Sequence, residues 1–188
     1  MWIAGQAWVD TSADLTVLAQ ALAPLPSRWG RYAPLVRAGW LAVGTVLRDA
    51  QKERDVPPLR TGILSCGVNG SLAANQRYFK DYAESGRTLG RSSLFVYTLP
   101  TTPIAEYAIH FGLGGPLFYA GFEHGQIKDA CALAEPFLVS GETDRMIVLL
   151  EDGCSVLGLA LEAGESEPLG WMSKLIEGLS EHGKDISA

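Results

Sequence analysis

Positive charge is the first thing in short supply. The chain carries 15 Lys and Arg against 21 Asp and Glu, a net charge of −6 over 188 residues. Nucleic-acid binding rests on neutralising phosphates, so no nucleic-acid partner is expected. Cysteine is sparse too: Cys66, Cys131 and Cys154 are odd in number and have no CxxC spacing, which excludes a disulfide framework and a zinc knuckle. A reducing, cytoplasmic setting fits that usage. The three histidines, His110, His124 and His182, lie far apart with no ligand spacing, so no metal is expected. The opening Met1-Trp2-Ile3-Ala4 lacks the basic segment and apolar run of a secretory signal. Arg37 and Arg48 interrupt the apolar stretch around Trp40, and no membrane span is expected. Gly-x-Ser-x-Gly is absent. Gly67-Val68-Asn69-Gly70 and Gly112-Leu113-Gly114-Gly115 lack the Lys or downstream acid of a phosphate cradle, so they read as turns and no cofactor is expected.

What is present is the composition of one globular domain, 47% hydrophobic and 19% charged. A chain of this length can bury about 70% of its extended surface in one core. No repeat or long linker divides it. Residues 1–163 read as one domain and 164–188 as a tail, rich in Gly, Glu, Ser and Pro, with a short helix near Trp171 to Leu179.

Periodicity places the elements. Val36, Trp40, Val43 and Leu47 line one face of a helix over about Pro34 to Gln51. Pro57-Pro58 forces a loop, and Thr61 to Cys66 reads as a buried strand opening into a glycine turn. Ser71 is placed to cap a helix over about Ser71 to Ser85, with Leu72, Phe79 and Tyr82 on one side and Gly86 as its stop; a polar loop follows. Thr102-Pro103 is a start signal for a helix whose Ile104, Ala108 and Phe111 share a face. Leu117 to Phe122 is β-rich. Gln126 to about Ser140 is helical through Ile127, Cys131, Ala134 and Leu138, with Pro136 expected to kink the helix or end it early. Met146 to Leu150 and Val156 to Leu161 flank Glu151-Asp152-Gly153-Cys154, a hairpin turn. Alternating strands and helices closed by a hairpin imply an α/β mixed sheet with helices packed on it.

The strand, turn and helix from Gly115 to Gly125 form the first place to look for a nucleophile, since a helix N-terminus there stabilises a thiolate or oxyanion. The turn holds no Cys or Ser. His124 is a candidate general base, but nothing at fixed spacing supplies the orienting partner a base needs, and the plainer reading is a polar loop or contact residue. Cys131 falls on an apolar helix face, and Cys66 and Cys154 have no basic neighbour, so all three read as structural. Arg28, Arg31 and Arg37, and separately Arg87 and Arg91, are candidates for an anionic partner or a solvated face.

The order of these pieces carries a resemblance. Thr61-Gly62-Ile63-Leu64-Ser65-Cys66-Gly67, Ser71-Leu72 with Arg77-Tyr78-Phe79, Phe95 to Pro100, Ala108-Ile109-His110-Phe111-Gly112-Leu113-Gly114-Gly115-Pro116 and Ser140 to Arg145 follow one another at familiar spacing. From about Arg31 to Leu161 the chain resembles the N-terminal half of the β-ketoacyl synthases, the thiolase-fold condensing enzymes of fatty-acid and polyketide assembly. The resemblance implies a thiolase-like half without the C-terminal half. It also implies two departures. The nucleophile position after Gly115-Pro116 lands on His124, among Phe122, Glu123 and Gln126 where small residues are usual. The second half, with its two histidines, would begin after the hairpin, and the sequence ends at Ala188. No catalytic residue is therefore assigned, and condensation by this chain alone is not expected.

Members lacking that cysteine are chain-length factors, which pair with an active ketosynthase, complete its pocket and limit product length; this sequence resembles a truncated one of the kind found in aryl-polyene clusters. By that resemblance Leu117, Phe118, Tyr119, Phe122 and His124 lie at a dimer interface, with the three aromatics as anchors or, by strand alternation, partly as core. The expected partner is a ketosynthase in a heterodimer, or a second copy in a homodimer, with an acyl carrier protein as a further partner. The alternatives are an acyl-thioester enzyme using His124 with Glu123, and a carrier-docking scaffold using the arginines.

Overall fold

The computed structural model describes residues 1–87, 90–121 and 127–164. The elements run β1 (Trp2–Asp10), α1 (Leu15–Leu22), α2 (Pro34–Glu53), β2 (Thr61–Gly67), α3 (Leu72–Glu84), α4 (Ser92–Phe95), α5 (Thr101–Phe111), β3 (Leu117–Gly121), α6 (Ile127–Val139), β4 (Arg145–Glu151) and β5 (Ser155–Glu162). The strands form one sheet in the order β1-β5-β4-β2-β3. Strand β2 is parallel to both β3 and β4, whereas β5 is antiparallel to β4 and β1, so the expected mixed sheet is present.

Alternation along the strands builds two cores. On one face Ile63, Ile147, Leu149, Val156 and Ala160 pack under α1, α2 and α5; on the other Leu64, Cys66, Met146, Val148, Leu157 and Leu159 pack under α6. Helix α2 carries the first core. Trp40, on its predicted apolar stripe, is fully buried, with ring centroids 5.4 Å from Trp29 and 5.2 Å from Phe111. The helix lies close on the sheet because Gly5 faces it: a Cβ there would come within 2.8 Å of the Val46 carbonyl oxygen. The stripe Ile127, Cys131, Ala134 and Leu138 on α6 is buried as read.

Several expectations are corrected. Helix α6 runs through Pro136 to Val139 rather than ending early, because Pro136 sits on its exposed side, away from the packed stripe. Helix α5 starts at Thr101, and the Thr102 hydroxyl donates to the Val96 carbonyl at 2.6 Å instead of capping the helix. Ser71 occupies the cap position of α3 with no side-chain cap bond. The polar loop after Gly86 contains α4 and a 3-10 turn, Val96–Thr98. Most consequentially, α3 buries no residue: its stripe residues Leu72 and Phe79 are exposed, Phe79 at 65%. The sheet also gains β1 and α1. Asp14 caps α1, accepting from the Thr16 and Val17 amides at 3.1 and 3.2 Å.

A buried ion pair ties the sheet to α2. Arg145 and Glu162, opposite each other in the β4–β5 ladder, are both fully buried. Arg145 Nε donates to Glu162 Oε1 at 2.8 Å, and Arg145 Nη2 donates to the carbonyls of Ala50 and Arg54 at the C-terminal end of α2, at 3.2 and 2.9 Å. A cation at this helix end is favoured by the dipole. Arg145→Met leaves the buried Glu162 carboxylate with only the half-exposed Arg54 guanidinium, 3.7 Å away, and should destabilise the chain by about 3 kcal/mol. The double variant Arg145→Met/Glu162→Leu should recover part of that loss in urea unfolding. A loss unchanged in the double variant would contradict this role. A milder expectation attaches to Gly5: Gly5→Ala forces α2 off the sheet and should lower the thermal midpoint, read by circular dichroism.

Candidate functional site

The site is assembled by strand register. Ser65 on β2 stands beside Tyr119 on β3, and Gly67 stands beside Glu151 on β4. Residues two apart on a strand share a face, so Ser65, Tyr119 and Glu151 all point toward the α2–α5 side at the carboxyl ends of three parallel strands. Open α/β sheets bind ligands outside those ends. The Ser65 hydroxyl donates to Glu151 Oε1 at 2.6 Å, and the Tyr119 hydroxyl donates to the Gly67 carbonyl at 2.7 Å. Gly67 leaves the room for this: a Cβ there would lie 3.0 Å from the Tyr119 hydroxyl and 3.3 Å from Glu151 Cβ.

Above these residues opens a groove of about 840 Å³ with Tyr119 and Glu151 on its lining. Its walls are largely apolar: Leu35 and Val36 at the start of α2, Ala73 and Ala74 of α3, Leu94, and Pro103 of α5. Its lining also includes the charged side chains Arg31, Arg77, Lys80 and Arg91, with Asp81 and Glu84. Tyr107 fixes one wall, donating to the Val36 carbonyl at 2.7 Å, and Gly39 makes that approach feasible. Tyr97 donates to Glu106 Oε1 at 3.0 Å, which Arg28 also contacts at 3.2 Å.

Burial dominates the electrostatics. It raises Glu151 above the usual carboxylate range, outweighing the Ser65 hydrogen bond that favours the anion. Burial, and then the Glu151 carboxylate, raises Tyr119. The Cys66 and Cys131 thiols are each pushed up to about 12, chiefly by burial, so neither supplies a thiolate at neutral pH. Cys154 is exposed beside Asp152 in the hairpin turn. His110 is lowered by burial and packs its ring 5.0 Å from Trp40. Among the described residues no group of His, Cys, Asp and Glu is arranged to hold a metal, and no helix is long and apolar enough to cross a membrane.

The sequence-predicted site residues separate. Leu117 is 38% exposed on β3. Phe118 faces the other side, half-buried with its ring 5.2 Å from Phe137. Tyr119 lines the groove. Phe122, Glu123, His124 and Gln126 lie outside the described residues, as do His182 and the short helix expected near Trp171 to Leu179. Three of the five flagged arginines are engaged: Arg28 with Glu106, Arg91 with Asp81 at 3.4 Å, and Arg37 over the Trp29 ring at 5.5 Å. Sequence reasoning missed Ser65 and Glu151. Glu151 follows the apolar run Met146 to Leu150 and reads as the first residue of the hairpin turn.

A raised carboxyl has a signed effect on stability. Folding favours the protonated Glu151, so its contribution is complete below its ordinary value of 4.5 and is lost as pH climbs through the raised value. Glu151→Gln, which cannot ionise, should flatten the fall in thermal midpoint across a pH series above that value. An identical slope in the variant would contradict the assignment.

No family model matches the sequence, and no curated protein matches it. Solved structures do match by fold. One is a ketosynthase (ApeO) in complex with its chain length factor (ApeC) from Xenorhabdus doucetiae: TM-score 0.64, 12% identity, 87% of this chain and 79% of that one. A second is the ishigamide ketosynthase/chain length factor, at TM-score 0.67 and 15% identity over 88% and 63% of the two chains. A third is the AntDE:AntF complex, a type II polyketide synthase acyl-carrier protein with its ketosynthase bound to the hexaketide, at TM-score 0.62 and 12% identity over 92% and 64%. In the last two cases this chain spans under two thirds of the matched chain's length. The α/β fold described above is thus the thiolase-like fold seen in ketosynthase and chain-length-factor complexes.

Proposed function

We propose that this chain is a non-catalytic, cytoplasmic β-ketoacyl synthase-like subunit of the chain-length-factor kind. It pairs with an active ketosynthase in polyketide, aryl-polyene or fatty-acid assembly, and its groove contributes to the pocket that holds the growing acyl chain. The observation that carries this reading is the open edge of β3. Among the described residues β3 pairs with β2 alone. Leu117 on it is exposed, as are Val68 and Leu72 beyond the end of β2 and Phe79, Phe95 and Leu99 on the helices that follow. An unpaired strand edge with apolar neighbours is a template for another chain.

Two further points support it. The position that aligns with the family's nucleophile holds His124. The buried Cys66 and Cys131 stay protonated at neutral pH, so neither offers a thiolate for an acyl-enzyme, and the exposed Cys154 sits in the hairpin turn, off the groove's lining. The solved proteins of the same fold are described as ketosynthases in complex with chain length factors or a carrier protein. A carrier-docking role built on the flagged arginines is less favoured, since Arg28, Arg37 and Arg91 are already engaged within the chain.

The test is co-expression with a type II ketosynthase as the candidate partner. A one-to-one complex should co-purify, and product chain length should differ from that of the ketosynthase alone. Leu117→Lys should weaken the complex by about tenfold while leaving the thermal midpoint unchanged. Absence of a complex with the wild-type chain, or full binding by the variant, would overturn the reading; a homodimer without ketosynthase binding would replace it with self-association.

A further inference from the structure

The groove has largely apolar walls and, at the ends of the parallel strands, the half-buried acid Glu151. Glu151 takes a hydrogen bond on Oε1 from Ser65, and its other oxygen receives none from any described residue. An unmatched carboxyl at the bottom of an apolar groove is costly to cover with hydrocarbon, because water is removed from it and nothing replaces the bond. A ligand bearing a hydroxyl at its inner end removes that cost. The Tyr119 hydroxyl is already engaged, donating to the Gly67 carbonyl and taking a hydrogen bond from the Gly70 amide. The floor thus offers one carboxyl oxygen to a small polar group.

Charge narrows the choice. Of the charged lining, Arg91 is paired with Asp81 at 3.4 Å and Lys80 with Glu84 at 3.9 Å, so Arg31 and Arg77 carry its remaining positive charge, which disfavours entry of an ammonium end. The volume of about 840 Å³ suits an extended chain of ordinary ligand size.

We propose that Glu151 is the residue that reads the inner end of the chain held in this groove, selecting one that ends in a hydroxyl over one that ends in a methyl. This rests on the reading of the groove as an acyl pocket. It goes beyond it in assigning the substrate class and the residue that sets it. A site built to hydrogen-bond a ligand group discriminates against the analogue lacking it, and this is the form of selection expected here.

The experiment uses the purified full chain and two probes, the decanoyl and ω-hydroxydecanoyl thioesters of N-acetylcysteamine, with affinities read by calorimetry. The wild-type chain should bind the hydroxylated probe about tenfold more tightly. Glu151→Leu should abolish that ratio while still binding the decanoyl probe, and Glu151→Gln, whose amide keeps both hydrogen-bonding roles, should retain most of it. Equal wild-type affinities, binding of neither probe, or a ratio that survives Glu151→Leu would overturn the proposal. If the Leu variant does not fold, the wild-type ratio and the Gln variant decide. Co-purification with the ketosynthase is scored separately: a normal complex together with equal wild-type affinities for the two probes refutes the reader and leaves the pairing intact, whereas wild-type selectivity without a complex does the reverse.

Discussion

Strand β2 is the constraint on which the remaining architecture depends. All seven of its residues are buried, and it is hydrogen-bonded to β4 on one side and β3 on the other. Parallel pairing on both sides demands crossover connections, and these are supplied by α3 to α5 on one path and α6 on the other. The helices that follow β2 and β3 therefore leave toward opposite faces of the sheet, and a crevice opens where they part. The same register that holds Gly67 beside Glu151 puts Ser65 within hydrogen-bonding distance of that carboxylate. The cost of burying an acid at the end of β4 is offset by one short bond and by the groove that opens above it.

Two surfaces follow from that strand and have different characters. The β1 side is an edge as well, since β1 pairs with β5 alone among the described residues, but none of that strand's large apolar side chains is exposed, and the Arg145–Glu162 pair locks β4 and β5 to the end of α2. The β3 side is open. A helix with no buried residue, a short edge strand and several exposed aromatic and aliphatic side chains lie together there, next to the groove. A helix whose apolar stripe, Leu72 and Phe79, is exposed is poorly explained by the stability of its own chain alone. A partner that covers both the strand edge and α3 explains it, and would close the groove at the same time.

Much of the fold was legible in the sequence because it rests on local periodicity. The α2 and α6 stripes, the β2 run before its glycines and the β4–β5 hairpin each announce themselves within a dozen or so residues. Strand β1 did not, since its buried residues are only Ala4 and Ala7 and an irregularity between Ile3 and Gly5 breaks the alternation. Helix α1 did not either, since an eight-residue helix carries little pattern besides its cap. Thr102 misled because an early hydroxyl can bond backward, to Val96, as readily as it caps. The site was the least legible part. Ser65 and Glu151 stand 86 positions apart, and only the parallel register of β2 with β4 brings them together. Nothing local distinguishes a carboxyl that closes a strand from one that opens a turn.

The most direct measurement is hydrogen–deuterium exchange on β3 with and without the ketosynthase. If the edge is where the partner binds, amides within Leu117–Gly121 should slow markedly in the complex while those of β1 stay unchanged. A stable complex that leaves the β3 amides exchanging at their free rate would contradict the account.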